Sequence, residues 1–354
     1  MSEAAAAAAP VREHVLEVRE LETNFYTAEG VVRAVRKVSL EIERGQRIGV
    51  VGESGSGKSA LALSILGLIE PPGRVVGGSV VLNGRLISSF SDGQMQKVRG
   101  KEVSLVFQDP MTALDPVMSI GDQIVEVIVR HQPIGRRAAR RAAVELLRDV
   151  EVPNAERRMG DYPHQYSGGM RQRVLIAIAL ANEPDLVIAD EPTTALDVTT
   201  QAQVLDVLER LVAERNTAVM LITHNLGVVA EFCDRIFVMY AGRVVEQADA
   251  DVLFARQTHP YTEVLLRSVL RADRLERGPL PTIPGFPPSL AQLPAGCPFE
   301  PRCPVGHGRE LCATVVPEPV SLGDPADPVV VECHFARERF DGDPGFAVAR
   351  PGSA

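Results

Sequence analysis

Residues 52–59 read Gly52-Glu53-Ser54-Gly55-Ser56-Gly57-Lys58-Ser59, which matches the phosphate-binding pattern G-x-x-x-x-G-K-S/T at every fixed position. The apolar run at 48–51 comes directly before this stretch and predicts a short buried strand. Residues 60–66 follow it and have helix-forming composition. A strand, a glycine-rich loop and a helix form the setting in which this pattern binds phosphate.

The loop carries the groups that ATP and its magnesium ion require. Its glycines leave successive backbone N–H groups free to form a nest for an anion, and the helix start adds the positive end of its dipole. The Lys58 ammonium can reach the β- and γ-phosphates, and the Ser59 hydroxyl can hold Mg²⁺. The residues predicted to surround the phosphates are Gly52, Ser54, Gly55, Gly57, Lys58 and Ser59.

The composition limits the class of protein. The chain has 354 residues, which favours two or three domains, and 45% of them are apolar, which is enough for a full core. A net charge of −9 argues against bulk electrostatic binding of nucleic acid. The alanine-rich residues 1–13 lack the features of a secretory signal, and no apolar run approaches the ~20 residues of a membrane span. We therefore expect a disordered lead at 1–13 and a chain that stays in the cytosol.

Short apolar runs alternate with helical stretches along most of the chain. This rhythm predicts an α/β fold, with a mainly parallel sheet covered by helices. Residues from about 120 to 165 look helical and rich in surface residues, which predicts a helical insertion. The predicted strands are 15–18, 38–42, 48–51, 77–84, 103–107, 186–189, 219–222, 236–239 and 244–246.

Polar side chains stand where three of these strands end. Asp190 and Glu191 follow one strand, His224 follows another, and Gln108 follows a third. Open α/β sheets bind ligands at this edge, so we expect these side chains near the phosphates. Asp190 would hold Mg²⁺, and Glu191 would polarise the attacking water. His224 would lie near the γ-phosphate, and Gln108 would touch Mg²⁺ or the water.

A second phosphate-binding feature occurs at Ser167-Gly168-Gly169, which opens a predicted helix. A hydroxyl, two unobstructed N–H groups and a helix dipole make such a cap attractive to an anion. One chain would then have two surfaces for a γ-phosphate. The simplest arrangement has two chains meeting head to tail, with each loop facing the cap of the other chain.

These motifs, in this order, resemble the ATPase subunits of ABC transporters over roughly residues 14–250. Further matches are Met170 after the two glycines and Ala195-Leu196-Asp197 after the carboxylates. The resemblance implies a P-loop ATPase with a helical subdomain, which forms a dimer that closes on ATP. It also implies that Phe25 stacks on adenine, with Tyr26 as second choice. Asp197 would link the two sites across the dimer.

Two further stretches resemble the oligopeptide and dipeptide importers within that family. Residues 107–116 resemble their glutamine loop, and His259-Pro260-Tyr261-Thr262 with the later Cys-Pro pairs resembles their C-terminal extension. The predicted domains are an ATPase domain at 14–265, with its helical subdomain at about 110–180, and an extension at 266–354. Asn225 stands where this branch usually has Asp, and Met170 replaces the Gln of the wider family. Neither change removes a group that the chemistry needs.

Four of the five cysteines crowd into the last sixty residues, at Cys297, Cys303, Cys312 and Cys333, with the spacing C-x5-C-x8-C-x20-C. In a reducing compartment such a cluster indicates metal before disulfides, and four thiolates suit a 4Fe–4S cluster or a zinc ion. The resemblance implies the iron–sulfur cluster, while zinc and plain buried thiols stay open. We expect the tail to form its own small unit. The fifth cysteine, Cys233, is expected to be a packing residue.

The resemblance implies an ATP-hydrolysing subunit that powers the import of di- or oligopeptides from the cytoplasmic face of a membrane. Its expected partners are two membrane permease subunits, a second ABC ATPase of the same or a related sequence, and an extracytoplasmic substrate-binding protein. Nucleic acid is not expected. Two alternatives are import of nickel or glutathione by the same machinery, and a soluble ABC ATPase that acts on ribosomes or DNA.

Overall fold

The computed structural model describes residues 14–194, 196–270 and 283–342. The predicted lead at 1–13, Ala195 and part of the proline-rich linker lie outside these ranges. Within the ranges, no helix combines the length and the apolar character that crossing a membrane requires.

Strands and helices alternate as the sequence predicts. The strands are β1 (His14–Thr27), β2 (Gly30–Glu43), β3 (Arg47–Val51), β4 (Gly73–Leu82), β5 (Arg85–Leu86), β6 (Val103–Val106), β7 (Leu186–Asp190), β8 (Ala218–Ile222), β9 (Arg235–Tyr240), β10 (Arg243–Asp249), β11 (Val320–Leu322) and β12 (Val329–Val331). The α-helices are α1 (Lys58–Ile65), α2 (Asp92–Val98), α3 (Pro110–Ala113), α4 (Ile120–His131), α5 (Arg136–Asp149), α6 (Ala155–Arg158), α7 (Gly168–Leu180), α8 (Val198–Arg215), α9 (Leu226–Phe232), α10 (Ala250–Ala255), α11 (Pro260–Leu270), α12 (Glu310–Thr314) and α13 (Ala336–Asp341).

The main sheet has eight strands in the order β11-β12-β10-β9-β3-β8-β7-β6. The five strands from β9 to β6 run parallel, and β10, β12 and β11 continue the sheet in antiparallel fashion. β3, which leads into the phosphate loop, lies between β9 and β8. The carboxyl ends of β3, β6, β7 and β8 therefore meet at one edge, where the polar side chains were predicted. The predicted α/β fold with a largely parallel sheet is confirmed.

The parallel strands of the main sheet are buried on both faces, which explains why they are largely apolar. Successive side chains of a strand point to opposite faces. Ile188 and Met220 accordingly join one core cluster, together with α1 and a second sheet. Val187 and Leu221 join the other cluster, together with α4 to α9. The second sheet is antiparallel in the order β2-β1-β4-β5.

β1 is longer than the sequence predicts. The alternation of apolar residues covers only 15–18, yet the strand extends over 14 residues to Thr27. Its pairing with β2 shifts between Val18 and Leu21, and Glu20 there has a φ of 44°. Such an irregularity breaks the period of two and hides the continuation of the strand from a pattern search.

The tail is not the separate small unit that the sequence led us to expect. β12 pairs with β10 of the main sheet, with Val331 opposite Glu246, and β11 pairs with β12. Phe299, Cys303 and Val331 belong to the same core cluster as the ATPase helices. Two three-residue strands are too short to show in a sequence pattern, but their apolar residues complete a core that already exists.

Candidate functional site

The phosphate loop connects the end of β3 to the start of α1, and two of its glycines are required by close backbone contacts. A Cβ at Gly52 would lie 2.2 Å from the Met239 carbonyl oxygen, and one at Gly57 would lie 2.2 Å from the Ala34 carbonyl oxygen. Their φ angles, 153° and 105°, also belong to the region that L-residues avoid. The pattern therefore places glycine where the neighbouring strands approach the loop.

A cavity of about 580 Å³ opens over this loop. Its size lies within the range of small-molecule sites. It joins the loop to the polar ends of β6, β7 and β8, as predicted. The residues lining it are Ala34, Ser54, Gly55, Gly57, Lys58, Ser59, Ala60, Gln108, Glu191, His224 and Leu290.

Lys58 is the cation of this cavity. Its side chain is buried, and Nζ donates hydrogen bonds to the Gly52 and Glu53 carbonyl oxygens at 2.8 and 3.0 Å. Burial lowers the pKa of the ammonium, while the nearby carboxylates of Glu191 and Asp190 oppose that shift. An ammonium has three donors, so one donor beyond these two can serve a phosphate oxygen.

Asp190 ends β7 beside the Ser59 hydroxyl, with which its carboxylate forms a hydrogen bond. Its other oxygen, Oδ1, is buried and has no hydrogen-bond partner among the described residues. Burial raises the pKa of this carboxyl, and the neighbouring Glu191 adds to the effect. An unpartnered carboxylate oxygen next to a hydroxyl is a donor set that Mg²⁺ prefers, so Asp190 and Ser59 fit the predicted ion.

Glu191 stands at the centre of the polar cluster. Its Oε1 lies 3.1 Å from His224 Nδ1, and its Oε2 accepts hydrogen bonds from Gln108 Nε2 and Thr194 Oγ1, both at 2.9 Å. Burial raises the pKa of the carboxyl, but the hydrogen bonds with His224 and Thr194 outweigh it, so the pKa lies below its ordinary value. An ionised carboxylate at this position can accept a proton from water.

The departure at Asn225 has a local explanation. Asn225 is the N-cap of α9, and its Oδ1 accepts hydrogen bonds from the Gly227 and Val228 backbone N–H groups at 3.0 and 3.4 Å. Asn and Asp serve equally well as N-caps. The helix that follows His224 therefore begins as it would with Asp.

Ser167, Gly168 and Gly169 do not line the nucleotide cavity. Ser167 caps α7 by accepting a hydrogen bond from Met170 N at 3.3 Å. A Cβ at Gly169 would lie 2.4 Å from Thr200 Cγ2, so the cap packs closely on α8. The structure thus leaves the two predicted phosphate-binding features apart within one chain, and the role of the cap across a dimer stays a prediction.

Asp197 is the N-cap of α8 and also lies outside the cavity lining. Its carboxylate accepts hydrogen bonds from Thr200 N at 3.0 Å and Thr200 Oγ1 at 2.8 Å. The backbone hydrogen bond from Thr200 is the main reason that the pKa of this exposed carboxyl lies below its ordinary value. Its predicted link between two ATP sites stays a prediction.

The predicted adenine contact is not part of the cavity lining either. Phe25 lies in β1, half-buried, and its ring covers Gly73, where a Cβ would lie 2.6 Å from Phe25 Cε1. Tyr26, the second choice, is 48% exposed. Stacking of either ring on adenine stays a prediction.

Sequence reasoning missed two contributors to the site. Thr194 donates a hydrogen bond to the Glu191 carboxylate. In the sequence, the only indication of this role is a hydroxyl residue three positions after Glu191. Leu290 lines the cavity from the C-terminal segment, and its carbonyl oxygen accepts a hydrogen bond from Arg33 N at 3.1 Å. No motif marks Leu290, because its position depends on where the tail crosses β2.

The four clustered cysteines line one small cavity of their own. Cys297 N donates to the Cys312 carbonyl oxygen at 2.8 Å, and Gly306 N donates to Cys303 Sγ at 3.1 Å. Burial raises the pKa of the Cys297 thiol to about 12 and that of Cys333 to about 11. Among the described residues, however, no three His, Cys, Asp or Glu side chains are spaced to hold a metal ion. The structure therefore does not show a formed metal site for the predicted iron–sulfur cluster or for zinc among the described residues.

Cys233 behaves as the sequence predicts. It is fully buried, and a Cβ at Gly49 of β3 would lie 3.1 Å from its sulfur. The thiol thus packs under the strand that carries the phosphate loop, in a different place from the four clustered cysteines.

Comparison with known proteins gives the family. The family model for the ABC transporter matches residues 35–194, and that for the oligopeptide/dipeptide transporter C-terminal region matches residues 245–312. The chain is 47% identical over 317 residues to the oligopeptide transport ATP-binding protein OppD of Salmonella typhimurium, which covers 90% of this chain and 93% of that protein. This chain belongs to the ABC transporter family. It is an ATPase of that family, and the resemblance to its oligopeptide and dipeptide branch is confirmed.

Other relatives of this ABC ATPase support the same family assignment. The dipeptide transport ATP-binding protein DppD of Bacillus subtilis is 46% identical over 86% of this chain and 90% of its own length. Among solved structures, the dimeric ATP-binding cassette MJ0796 with ADP and Pi superposes with a TM-score of 0.60 and 28% identity. That similarity covers 66% of this chain and 98% of the cassette.

Proposed function

We propose that this chain is the ATP-hydrolysing subunit of an importer for di- and oligopeptides. The observation that carries the proposal is the combination of one cavity lined by the phosphate loop, Gln108, Glu191 and His224 with a C-terminal region that matches the peptide-transporter model at 245–312. Relatives that are named for oligopeptide and dipeptide transport align with it over most of their length. ATP binding and hydrolysis would then drive the cycle of a transporter whose pore is formed by other chains.

In this proposal the residues of the cavity divide the work of hydrolysis. Lys58 and the loop N–H groups bind the β- and γ-phosphates of ATP. Asp190, Ser59 and Gln108 would hold Mg²⁺, which would supply positive charge that stabilises the phosphates during hydrolysis. Glu191 would accept a proton from the attacking water, and His224, whose Nδ1 lies 3.1 Å from Glu191 Oε1, would contact the γ-phosphate.

The second surface of the chain supplies the partner's site. Ser167, Gly168 and Gly169 at the start of α7 would bind the γ-phosphate of the opposite subunit, because they do not line the nucleotide cavity of their own chain. Asp197, at the start of α8 next to that cap, would connect the two sites. The partner ATPase would be a second copy of this chain or a related one. Phe25 would stack on the adenine.

The remaining partners follow from transport. The chain would sit at the cytoplasmic face of the membrane, bound beneath two permease subunits. A substrate-binding protein on the other side would deliver the peptide. Closure of the ATPase dimer on ATP, and its opening after hydrolysis, would move the permeases between their two states. The ATPase domain at 14–265, with its helical subdomain at about 110–180, would do this work, and the extension at 266–354 would brace it.

The four clustered cysteines are proposed to hold a 4Fe–4S cluster. Support comes from their convergence on one cavity and from the N–H···S bond of Gly306 to Cys303. A zinc ion, which needs four ligands, is the alternative. Among the described residues no three His, Cys, Asp or Glu side chains are set to hold a metal ion, and this bears on zinc and on the cluster alike. When bound, the cluster would cross-link the tail.

Import of nickel or glutathione is the second candidate, since the ATPase makes little contact with cargo. The test is to purify the chain with its co-expressed permeases and binding protein, reconstitute them in vesicles and measure ATP hydrolysis with each cargo. Stimulation by di- or oligopeptides, and not by Ni²⁺ or glutathione, is the expected result. Stimulation by Ni²⁺ or glutathione alone would replace the peptide assignment. Co-purification with ribosomes or DNA instead of permeases would overturn the transport role.

A further inference from the structure

The phosphate loop is bound directly by the C-terminal extension. The Glu53 carboxylate, in the variable part of the loop, accepts two parallel hydrogen bonds from the Arg302 guanidinium. The distances are 2.7 Å from Nη1 to Oε2 and 3.0 Å from Nη2 to Oε1. Paired bonds of this kind are the strongest contacts between arginine and a carboxylate, and they fix both groups in one plane. The pair joins residues that lie 249 positions apart.

Contacts other than the one with Glu53 also fix the position of the Arg302 side chain. Its side chain is only 4% exposed, and its Nε donates to the Pro284 carbonyl oxygen at 2.8 Å. The guanidinium carbon lies 5.9 Å from the centre of the Tyr240 ring. Burial alone would lower the pKa of the guanidinium, but its hydrogen bonds with Glu53 and Tyr240 outweigh that effect and raise it. Arg302 is therefore a fixed, permanent positive charge.

The backbone of the loop is held by a second contact. Glu53 N donates a hydrogen bond to Tyr261 Oη at 2.8 Å. Tyr261 lies in the first turn of α11, within the His259-Pro260-Tyr261-Thr262 motif, and its ring packs against Tyr240 and Phe299 with centroids 4.6 and 5.4 Å apart. That motif has no place among the residues predicted to bind ATP, yet its tyrosine touches the loop that does.

The ion pair between Arg302 and Glu53 also reduces the electrostatic repulsion between the loop and a bound polyphosphate. A carboxylate in a loop that binds a polyphosphate would repel its ligand, because like charges in a partly buried site are screened only weakly by solvent. Arg302 neutralises Glu53 from the side facing the core. Without this arginine the loop would carry an uncompensated negative charge beside the phosphates.

We propose that Arg302 and Tyr261 are positioning residues for ATP binding. Arg302 holds the phosphate loop from the C-terminal extension and cancels the charge of Glu53, and Tyr261 holds the loop backbone from α11. The extension is then part of the ATP-binding apparatus, in addition to any contact with permeases. The same short turn carries Cys303, so the cavity of the four cysteines begins one residue from this contact. The proposal rests on the ATPase activity of the chain and not on the identity of the cargo.

The test is the affinity of the full-length chain for a fluorescent ATP analogue, with Arg302→Gln, Glu53→Gln and the double variant compared with wild type. We expect Arg302→Gln to weaken binding by roughly tenfold, since groups in contact couple strongly. Glu53→Gln should weaken binding less, because the charge that it leaves unpaired is the positive Arg302 guanidinium, which attracts phosphate instead of repelling it. The double variant should bind nearly as well as Glu53→Gln, because removing the carboxylate removes the repulsion. Tyr261→Phe, which keeps the ring, should weaken binding a few-fold.

The matched control is the ion pair of Arg243 and Glu332, which joins β10 to the residue after β12. It too is bidentate, at 2.6 and 2.7 Å, and its side chains are 14% and 11% exposed. Arg243→Gln should lower the thermal midpoint while ATP affinity stays within about twofold of wild type. Equal loss of ATP affinity in Arg243→Gln and Arg302→Gln would overturn the proposal. So would unchanged affinity in Arg302→Gln, or a double variant that binds no better than Arg302→Gln.

Discussion

Glu191 Oε1 lies 3.1 Å from His224 Nδ1, although the two residues end different strands. The contact follows from the sheet, because β7 and β8 are parallel neighbours with Asp190 opposite Ile222. Glu191 N also donates to the Ile222 carbonyl oxygen at 2.8 Å, which extends the pairing one residue beyond β7. Strand register therefore sets the Glu191 carboxylate beside the His224 ring.

Removal of the Lys58 ammonium should weaken ATP binding. Hydrogen bonds to charged groups contribute about 1.5–3 kcal/mol, so Lys58→Ala should lower the affinity by roughly 10- to 150-fold. Titration calorimetry with the purified chain measures this directly. Lys97→Ala is the control, because Lys97 is exposed in the last turn of α2. Unchanged affinity in Lys58→Ala would mean that the lysine does not face the phosphates.

Ser167→Arg should separate ATP binding from dimer formation. Ser167 does not line the nucleotide cavity of its own chain, so ATP affinity of the isolated subunit should stay within about twofold of wild type. The bulky cation should block the cap from the partner's nucleotide and prevent closure. Light scattering with ATP, in a variant that cannot hydrolyse it, reports the dimer. A Ser167→Arg chain that still dimerises on ATP would contradict the head-to-tail arrangement.

Glu246 should make stability depend on pH. Its carboxylate is fully buried, accepts hydrogen bonds from Thr258 N and His259 N at 2.7 and 3.0 Å, and faces the positive charge of Arg339. Burial nevertheless raises its pKa from 4.5 to about 7. Between these values the folded chain keeps a proton that the unfolded chain releases. The contribution of Glu246 to the free energy of unfolding is therefore fully present below pH 4.5. It falls by about 3 kcal/mol as the pH rises from 4.5 to 7.

The measurement compares wild type with Glu246→Gln by chemical denaturation at several pH values. The free energy of unfolding of wild type minus that of the variant should fall as the pH rises through this window. Burial lowers the pKa of His259 to about 3, so that residue gives a slope of opposite sign, but it is present in both proteins and cancels in the difference. A difference that does not change with pH would show that Glu246 is ionised throughout.

The cysteine cavity predicts a visible chromophore. Chain purified without oxygen should be brown and carry about four irons, as a thiolate-held cubane cluster requires. Cys303→Ser should lose the colour and lower the thermal midpoint of the whole chain in a single transition, because β11 and β12 belong to the main sheet. Cys233→Ser, which changes the thiol packed under β3, should keep full iron content. Colourless wild-type protein with one zinc, or with no metal, would refute the cluster.

Much of the fold and of the ATP site could be predicted from local sequence. The loop at 52–59 is recognisable from its fixed residues, and at Gly52 and Gly57 close backbone contacts require the glycine. Asp190, Glu191 and His224 were predictable because parallel strands bring their ends to one edge. Apolar strands such as β7 and β8 are buried on both faces, and composition alone shows this.

The contribution of the tail could not be predicted, because it depends on long-range packing. Leu290 lies more than two hundred residues from Arg33, and Arg302 lies as far from Glu53, and no spacing rule connects either pair. The short strands β11 and β12 carry too few residues to show a period. The expectation of a separate tail failed because a proline-rich linker was taken as a domain boundary, whereas the tail beyond it packs back on the ATPase core.

The central claim, that Glu191 drives ATP hydrolysis in this chain, is tested most directly by the rate of phosphate release from Glu191→Gln. The assembled complex is measured with this change in each ATPase subunit in turn. ATP affinity should stay within about twofold of wild type, while turnover falls by about 10²–10⁴-fold, the usual contribution of a positioned base. Glu209→Gln, a carboxylate paired with Arg47 outside the cavity lining, should hydrolyse ATP normally. Turnover near the wild-type rate in Glu191→Gln would contradict the account.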